Sequence, residues 1–322
     1  MGTMTQETKA RGLSPGARID RYTLERQIGG GGFSIVYLAN DPETRTQVIV
    51  KEYMPRKLAA RGDDGRTVIT VGEDEKSVER FAQGKKMFFQ EAATLATLKH
   101  PNIVNVTNFF RANGTVYMVM EYAQGINLQE YIRRHNGSLS EKLIRIVFTA
   151  LLDGLKCIHS RGLLHLDIKP GNIYLRSGGS PLLLDFGAVH EMMQSRQDQA
   201  SQVITPGFSP IEQLTPGGYV GPWSDIYALG ATMRACIEGV APPPSPERTP
   251  EDHMKPASVA FRRRYSAALL RVIDWAMEVD PLARPQNVDQ LLAALTDNAT
   301  DDPPESGSML ERLANSFSWG RS

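Results

Sequence analysis

The fold is decided by a stretch that begins His165-Leu166-Asp167-Ile168-Lys169-Pro170-Gly171-Asn172. It continues through the apolar run Ile173-Tyr174-Leu175, a short polar turn and Leu182-Leu183-Leu184, and it ends with Asp185-Phe186-Gly187. The two apolar runs on either side of a turn predict a β-hairpin. A polar loop between two core strands is the simplest interpretation, but the spacing of the charged side chains is more specific than a loop requires.

Four polar side chains in this stretch share one chemistry. The Asp167 carboxylate can accept the proton of an attacking hydroxyl, and the Lys169 ammonium can neutralise a phosphate. The side-chain oxygens of Asn172 and Asp185 are hard ligands of the kind that Mg²⁺ binds. The pattern H-x-D-x-K-x-x-N, followed one hairpin later by D-F-G, therefore predicts transfer of a phosphoryl group.

These motifs resemble those of the protein kinases. A lysine two residues after the aspartate, here Lys169, resembles the pattern of the serine/threonine branch. The sequence Pro-Gly-Asn at 170–172 resembles that of the bacterial kinases of eukaryotic (Hanks) type. The resemblance implies an α+β bilobal fold, with a small β-rich N-lobe and a larger helical C-lobe. It also implies that ATP binds between the lobes and that its γ-phosphoryl group passes to a Ser or Thr hydroxyl of a protein substrate, with Mg²⁺, or alternatively Mn²⁺, as the metal. Autophosphorylation is a further expectation.

The composition is that of a globular protein with one large domain or two lobes. The chain has 322 residues, 41% of them hydrophobic, and Lys+Arg and Asp+Glu are both 36. This balance does not indicate a nucleic-acid partner. The two cysteines, Cys157 and Cys236, suggest neither a disulfide framework nor a metal cluster. No membrane span or secretion signal is apparent, so we expect a soluble cytoplasmic protein.

The polarity of the sequence and the resemblance together predict three segments. Residues 1–18 are a flexible N-terminal tail, residues 19–297 the kinase domain and residues 298–322 a C-terminal tail. Within the domain, the resemblance implies an N-lobe to about residue 120, a hinge at 121–125 and a C-lobe at 126–297. An insertion at 54–80 is predicted to be a solvated excursion. The C-terminal tail is expected to be disordered, with a short amphipathic helix near 309–319 as the alternative. Either this tail or the insertion could dock a partner.

Apolar periodicity predicts the elements around the deciding stretch. The strands are predicted at 22–28, 48–51, 67–71 and 116–120, and the helices at 81–98, 128–135, 141–160, 266–278 and 287–295. Residues 241–257 are rich in proline and predict an extended surface loop. A buried helix is expected to begin near Asp225, as it does in kinases.

A glycine-rich turn lies near the N-terminus and reads Ile28-Gly29-Gly30-Gly31-Gly32-Phe33-Ser34-Ile35-Val36. Glycine allows backbone amides to approach phosphate oxygens. A turn of this kind is a weak signal alone, but this one precedes a strand that ends in Lys51. The resemblance implies that the turn covers the nucleotide phosphates, with Ser34 where the family has its third glycine, and that Lys51 holds the α- and β-phosphates.

The resemblance also implies the remaining nucleotide contacts. Lys51 is expected to pair with Glu91 on the helix predicted at 81–98. For Tyr174, contact with the adenine and ordinary core packing are equally good interpretations. The other residues expected around the adenine are Ile49, the gatekeeper Met120, and Glu121 and Ala123 through their backbone groups.

A second motif resembles the end of a kinase activation segment. It reads Thr205-Pro206-Gly207-Phe208-Ser209-Pro210-Ile211-Glu212, with Ile211 where the family has proline. The resemblance implies that Thr205 orients the substrate or Asp167, and that Glu212 forms an ion pair with Arg284.

Leu166 stands where most regulated kinases have an arginine that binds a phosphate on the activation loop. Because leucine has no charge and no donor, we expect that activity does not require phosphorylation of Ser195 or Ser201.

Two other functions stay open from the sequence. One is a pseudokinase, a nucleotide-binding scaffold without turnover, and it is disfavoured because the catalytic positions are all filled. The other is a kinase for a small molecule, and it is disfavoured because the run that ends at Glu212 favours protein substrates.

Overall fold

The computed structural model describes residues 12–72, 74–184, 190–191, 204–249 and 251–296. The chain divides into two compact units. The first comprises Met1–Lys99 and Asn105–Ala123, and the second comprises His100–Val104 and Gln124–Ser322. The first is rich in β-structure and the second is mainly helical, which confirms the predicted α+β class.

The first unit is built on an antiparallel six-stranded sheet in the order β1-β2-β3-β4-β8-β7. A two-stranded sheet, β5 with β6, lies between β4 and the long helix α1 in sequence. The bounds are β1 (Arg18–Ile19), β2 (Tyr22–Gly30), β3 (Ser34–Asp41), β4 (Thr46–Tyr53), β5 (Ala59–Arg61), β6 (Val68–Thr70), α1 (Glu75–Thr97), β7 (Val106–Ala112) and β8 (Thr115–Glu121).

Helix α1 begins at Glu75 rather than near Phe81, because Asp74 caps it: the Asp74 side chain accepts a hydrogen bond from the Ser77 N–H. Its buried residues are Phe81, Phe88, Ala92 and Leu95. Their spacing of seven, four and three residues forms the apolar stripe that the sequence predicted.

The prediction that 54–80 is a solvated excursion is wrong for part of the segment, although residues 63–66 and 74–76 are exposed. Met54, Ala59 and Val68 are buried, and the Val68 N–H donates to the Asn113 carbonyl at 2.8 Å. The Arg61 guanidinium forms an ion pair with Glu52, which is fully buried. The segment folds onto the first unit because its apolar side chains and this buried carboxylate stabilise it there.

The tail predicted to be flexible up to residue 18 is shorter than expected. Leu13 is buried, and its N–H donates to the Tyr37 hydroxyl at 3.0 Å. Strand β1 pairs with β2. Residues 12–18 therefore belong to the folded unit. Residues 1–11 and 297–322, including the amphipathic segment at 309–319, lie outside the described residues.

Helices of the second unit surround α5, which is buried along most of its length. The bounds are α2 (Leu128–Arg134), α3 (Glu141–His159), α4 (Ile211–Leu214), α5 (Pro222–Glu238), α6 (Ala257–Ala260), α7 (Ala267–Ala276) and α8 (Val288–Thr296). Asn127, Ser140 and Ser266 cap α2, α3 and α7 with their side chains. Across the described ranges, every helix falls short of the length or the apolarity that a membrane span demands.

The hairpin predicted between Ile173 and Leu184 is confirmed. Its strands, β11 (Ile173–Arg176) and β12 (Pro181–Leu183), pair in antiparallel register, and β9 (Gly125–Asn127) lies on the other side of β11. A Cβ atom at Gly125 would be 2.8 Å from the Leu175 carbonyl carbon, so this close approach requires glycine. A shorter pair, β10 (Leu163–Leu164) with β13 (His190–Glu191), flanks residues 165–187 in sequence.

The proline-rich segment at 241–257 is not an extended surface loop along its whole length. It contains a 3-10 helix, Ser245–Arg248, in which Ser245 and Arg248 are buried. The Arg248 guanidinium donates to the Tyr227 hydroxyl at 3.0 Å. The segment turns inward because its polar side chains find partners in the second unit.

Candidate active site

Asp167 is the centre of a cluster of polar side chains in the second unit. Its carboxylate is 8% exposed and accepts hydrogen bonds from Lys169 Nζ at 2.9 and 2.8 Å. The Thr205 hydroxyl donates to Asp167 Oδ1 at 2.8 Å, and Lys169 Nζ lies 3.1 Å from Thr205 Oγ1. A carboxylate, an ammonium and a hydroxyl therefore meet at one point, although Thr205 comes from a distant segment.

Asn172 completes this cluster. Its Nδ2 atom donates to the Asp167 main-chain carbonyl at 2.9 Å and to Asp167 Oδ2 at 2.8 Å. These two bonds fix the orientation of the amide and leave its oxygen, a ligand that Mg²⁺ accepts, for another partner. The other residue expected to hold metal, Asp185, lies outside the described residues.

The backbone leading into Asp167 is held by a buried carboxylate on α5. Asp225 Oδ2 accepts the His165 N–H at 2.9 Å, and Asp225 Oδ1 accepts the Leu166 N–H at 2.7 Å. Leu166 has a φ of 57°, a left-handed conformation that costs a residue with a side chain about 1–2 kcal/mol. Two hydrogen bonds to a charged acceptor offset this strain.

The His165 ring fixes the backbone on the other side of Leu166. Its Nε2 atom lies 3.1 Å from the Leu184 carbonyl oxygen, which can only accept, so Nε2 carries the proton. Nδ1 then has a lone pair for the Asp167 N–H, which lies at 3.2 Å. The buried imidazole is therefore neutral. It accepts from the Asp167 N–H, donates to the Leu184 carbonyl, and so positions Asp167.

Thr205 is positioned by a tight turn. Its N–H donates to Ser209 Oγ at 3.0 Å, and its carbonyl accepts the Ser209 N–H at 2.9 Å. The buried Ser245 hydroxyl donates to the Ser209 carbonyl at 2.9 Å. Gly207 has a φ of 84°, and a Cβ atom there would be 2.5 Å from the Pro242 carbonyl oxygen. The proline-rich segment thus supports the turn that carries Thr205.

The predicted ion pair between Glu212 and Arg284 is confirmed. Arg284 Nη1 and Nη2 donate to the two carboxylate oxygens of Glu212 at 2.8 and 3.1 Å. The Ser224 hydroxyl also donates to Glu212 at 2.7 Å, and the Arg284 side chain is fully buried. This bidentate ion pair, with the Ser224 hydroxyl, connects the segment after Thr205 to the start of α5.

In the first unit, Lys51 is a buried residue near the end of β4. Its Nζ atom lies 5.8 Å from the centre of the Phe88 ring on α1. Glu91 follows Phe88 by three residues, slightly less than one helical turn. The lysine therefore lies beside the part of α1 that carries the glutamate expected to pair with it.

Ile49 and Met120, both expected around the adenine, share one face of the sheet with Val36 and Lys51. Ile49 and Met120 are directly opposite each other on β4 and β8, and Val36 is opposite Lys51. All three are half-buried, whereas Val48, Val50 and Val119 on the other face are buried. After β8, the Ala123 N–H donates to no other backbone group in the described part of the chain.

The glycine-rich turn connects β2 and β3. Added Cβ atoms at Gly31 and Gly32 would meet nothing within 4 Å, so the packing of the chain does not itself require glycine there. Ile28 and Phe33 are exposed. The carbonyls of Gly32 and Phe33 accept the N–H groups of Arg56 and Met54, both at 2.9 Å, which ties the turn to the segment after β4.

Comparison with known families decides the assignment, because the model of the protein kinase domain matches residues 22–294. The chain belongs to the protein kinase family. Serine/threonine-protein kinase D of Synechocystis sp. is 31% identical over 291 residues, which cover 86% of this chain and 52% of that protein. Serine/threonine-protein kinase PknA of Nostoc sp. is 30% identical over 299 residues, 88% of this chain and 48% of the relative.

A solved structure, PpkA-294 in its apo form, superposes with a TM-score of 0.78 at 37% identity. The match covers 88% of this chain and 99% of that chain, and it confirms the protein kinase fold. The chain spans about half the length of the two curated relatives. Protein kinases as a family use ATP and a divalent metal ion, and they act on proteins.

Of the remaining residues expected from the kinase resemblance, Tyr174 is described and three others are not. Tyr174 is half-buried and donates from its hydroxyl to the Gly125 carbonyl at 2.7 Å, so its ring is fixed within the second unit. Ser195 and Ser201 lie outside the described residues, as Asp185 does.

Several residues that support the kinase site without belonging to it could not be predicted from the sequence. Ser209 and Ser245 hold the turn at Thr205, and His159 Nε2 lies 2.8 Å from Asp225 Oδ2. The only available signal was polarity at positions that later proved to be buried. Serine and histidine are common on surfaces, so that signal is weak.

Among the described residues of this kinase site, Asp225 has a clearly shifted pKa. Burial raises the pKa of a carboxyl group, but the hydrogen bonds from the His159 ring and from the His165 N–H outweigh burial and hold the Asp225 pKa below its usual value. Asp225 is therefore a carboxylate at neutral pH and can accept both backbone N–H groups.

Proposed function

We propose that this chain is an ATP-dependent protein kinase that transfers the γ-phosphoryl group to a Ser or Thr hydroxyl of a protein. The observation that carries the proposal is the Asp167 carboxylate, which is held by Lys169, Thr205 and Asn172. This arrangement supplies a proton acceptor, a cation and a metal ligand within one cluster. Phosphoryl transfer needs little beyond such positioning and charge.

Each residue of the cluster has a distinct role in the proposal. Asp167 accepts or orients the proton of the substrate hydroxyl, and Lys169 neutralises charge on the transferred group. Thr205 holds the carboxylate in place, because its hydroxyl donates to Asp167 Oδ1. The Asn172 oxygen and Asp185 would hold Mg²⁺ or Mn²⁺, which neutralises charge on the phosphates when bound.

The first unit supplies the proposed nucleotide contacts. Lys51 binds the α- and β-phosphates with Glu91 as its partner. The glycine-rich turn, residues 28–34, covers the phosphates. The space above Gly31 and Gly32 supports this role, since glycine there serves an approaching ligand rather than packing within the chain. The proposed adenine contacts are Val36, Ile49, Met120, Tyr174 and the backbone of Glu121 and Ala123.

A pseudokinase scaffold is less well supported than an active enzyme. Such a protein needs no hydrogen-bonded cluster around Asp167, yet Lys169 and Asn172 are both present and both bonded to it. A small-molecule kinase is also less well supported, because the segment from Thr205 to Glu212, which resembles the end of a protein kinase activation segment, is held in place by a buried ion pair.

The substrate, partners and location are parts of the same proposal. The substrate is a protein with an accessible Ser or Thr. The folded segment at 54–70 or the C-terminal tail could dock a partner. Cys157 and Cys236 are free thiols, which suits a reducing compartment such as the cytoplasm.

The test is a phosphotransfer assay. Purified protein is incubated with labelled ATP, Mg²⁺ or Mn²⁺, and a generic basic protein, with the Asp167→Asn variant as control. We expect label on Ser or Thr of the added protein with wild type and little label with the variant. If wild type binds ATP but transfers no label under any metal, the pseudokinase becomes the better interpretation. If label appears only on a small molecule, the third function is favoured.

A further inference from the structure

Helix α1 contains a glycine in its interior that helix formation does not explain. Gly84 lies in the middle of a helix of 23 residues. Glycine is among the least favourable residues there, since it has the greatest backbone freedom to lose. A glycine in a helix interior therefore calls for a neighbour that needs the space of the missing side chain.

That neighbour is Tyr53, the last residue of β4. A Cβ atom at Gly84 would overlap the Tyr53 hydroxyl and would lie 2.7 Å from its ring carbon Cζ. The Tyr53 ring is buried, with its centre 5.8 Å from the Phe81 ring and 5.7 Å from the Phe88 ring. Tyr53 therefore fills a notch on α1 whose floor is Gly84 and whose two walls are phenylalanines one turn away on either side.

The notch lies on the same two elements as Lys51 and Glu91, the pair proposed to act at the nucleotide. Tyr53 follows Lys51 by two positions on β4, so both side chains are on the same face of the sheet. Gly84 precedes Glu91 by seven positions, about two turns, so both are on the same face of α1. Phe88 contacts Tyr53, and its ring lies 5.8 Å from Lys51 Nζ.

We propose that Gly84 is a positioning residue, and that the fit of Tyr53 into the Gly84 notch sets the position of α1 along β4 and so brings Glu91 level with Lys51. The inference rests on the proposed function for the role of the pair, although the notch itself is a packing feature. A side chain at Gly84 would push α1 away from β4 at this point. Glu91 would then move relative to Lys51, while the rest of the unit could stay folded.

The main test compares Gly84→Ala with Gln83→Ala, an exposed neighbour on the same helix. Both substitutions improve helix propensity, so propensity alone predicts equal or greater activity and stability for both. We expect Gly84→Ala to lower kcat by about 10-fold or more, equivalent to about 1.4 kcal/mol of barrier, with little change in the KM for protein substrate. Gln83→Ala should behave as wild type. Equal kcat values for all three proteins would overturn the proposal.

Two further variants separate positioning from general loss of structure. In a Glu91→Ala background, Gly84→Ala should cause no additional loss of kcat, because the pair on which it acts is already absent. Replacing Tyr53 with Leu shortens the side chain above the notch, so Tyr53→Leu should restore part of the kcat of Gly84→Ala. A full additional loss in the Glu91→Ala background would show that the effect does not pass through the pair.

A readout without catalysis keeps the inference distinct from the proposed function. Amide hydrogen exchange in α1 between Phe88 and Leu95 should be faster in Gly84→Ala than in wild type or Gln83→Ala. If the wild type transfers no phosphate but this exchange still increases, the proposed function fails and the packing role stands. If the wild type is active and exchange and kcat are both unchanged in Gly84→Ala, the positioning role fails while the proposed function stands.

Discussion

The Thr205 hydroxyl donates to Asp167 Oδ1 at 2.8 Å, although the two residues are 38 positions apart in the chain. Lys169 Nζ contacts both of them, so the three side chains form a closed triangle. A substrate segment that displaced Thr205 would therefore also remove one hydrogen bond from the carboxylate proposed as the proton acceptor.

Thr205→Val removes the hydroxyl from the triangle and keeps the branched shape. A hydrogen bond to a charged group contributes about 1.5–3 kcal/mol, so we expect kcat to fall by about 10- to 100-fold. Thr205→Ser keeps the hydroxyl and should retain most of the activity. Steady-state kinetics on an added protein substrate provide the measurement, and equal rates for the Val and Ser variants would show that the hydroxyl has no role.

Asp167→Asn should leave nucleotide affinity nearly unchanged and reduce turnover by about 10²–10⁴-fold, which is the usual contribution of a positioned base. The amide can still accept hydrogen bonds from Lys169, but it cannot take up a proton. Nucleotide binding by titration calorimetry and a single-turnover transfer rate would separate these two effects. A variant as fast as wild type would remove Asp167 from the proposed role.

Lys51→Met should abolish most transfer without unfolding the protein, because the side chain is replaced by one of similar length. If Lys51 acts with Glu91, Glu91→Ala should cause a similar loss, and the double variant should be little worse than either single variant. Transfer rates for the four proteins complete the cycle, and circular dichroism checks the fold. Losses that simply add would indicate that the two residues act independently.

Leu166 supports the prediction that activation-loop phosphorylation is not required. Its side chain is 2% exposed and packs with Leu164 and Val220, so it offers a phosphate neither a charge nor a donor. A Ser195→Ala, Ser201→Ala double variant and phosphatase-treated wild type should therefore act on an added substrate within a few-fold of untreated enzyme. A loss of about 100-fold, about 2.7 kcal/mol of barrier, would contradict the prediction and point to a different basic partner.

Asp225→Asn should lower the free energy of unfolding by about 1–3 kcal/mol, since one of the two N–H groups at His165 and Leu166 would face an amide NH₂ instead of a carboxylate oxygen. The pKa of Asp225 is lower in the folded protein than in the unfolded chain, so its contribution is present above the unfolded pKa and is lost as pH falls through the folded pKa. The difference between wild type and variant in denaturant unfolding should be constant near neutral pH and should shrink below about pH 5. A difference independent of pH throughout this range would show that the charge does not matter.

The elements that could be predicted best from the sequence are those set by residues close together in the chain. The hairpin at 173–183, the apolar stripe of α1 and the short strand β6 follow from local periodicity, which does not need a tertiary structure. The ion pair between Glu212 and Arg284 was also found, although 72 positions separate its members. That success came from resemblance to a family and not from periodicity.

Residues whose role depends on a distant and unexpected partner were missed. Ser245 lies 36 positions from the Ser209 carbonyl that it supports, and no local pattern distinguishes a buried serine of this kind from an exposed one. Arg61 lay in a polar stretch that suggested solvent, but its partner Glu52 is a fully buried strand residue. Charge alone could not indicate burial, because a buried charge is tolerated only when the fold brings a partner to it.

The support of the Thr205 turn by the proline-rich segment has a consequence for the design of chimeric kinases. The Pro242 carbonyl lies so close to Gly207 that it leaves no room for a Cβ atom, and Ser245 donates to the Ser209 carbonyl. The two segments are far apart in sequence and nevertheless form one fitted unit. A segment transplanted into 204–212 with any residue other than glycine at position 207 would meet the Pro242 carbonyl where its side chain has to go. The two stretches must therefore be exchanged together.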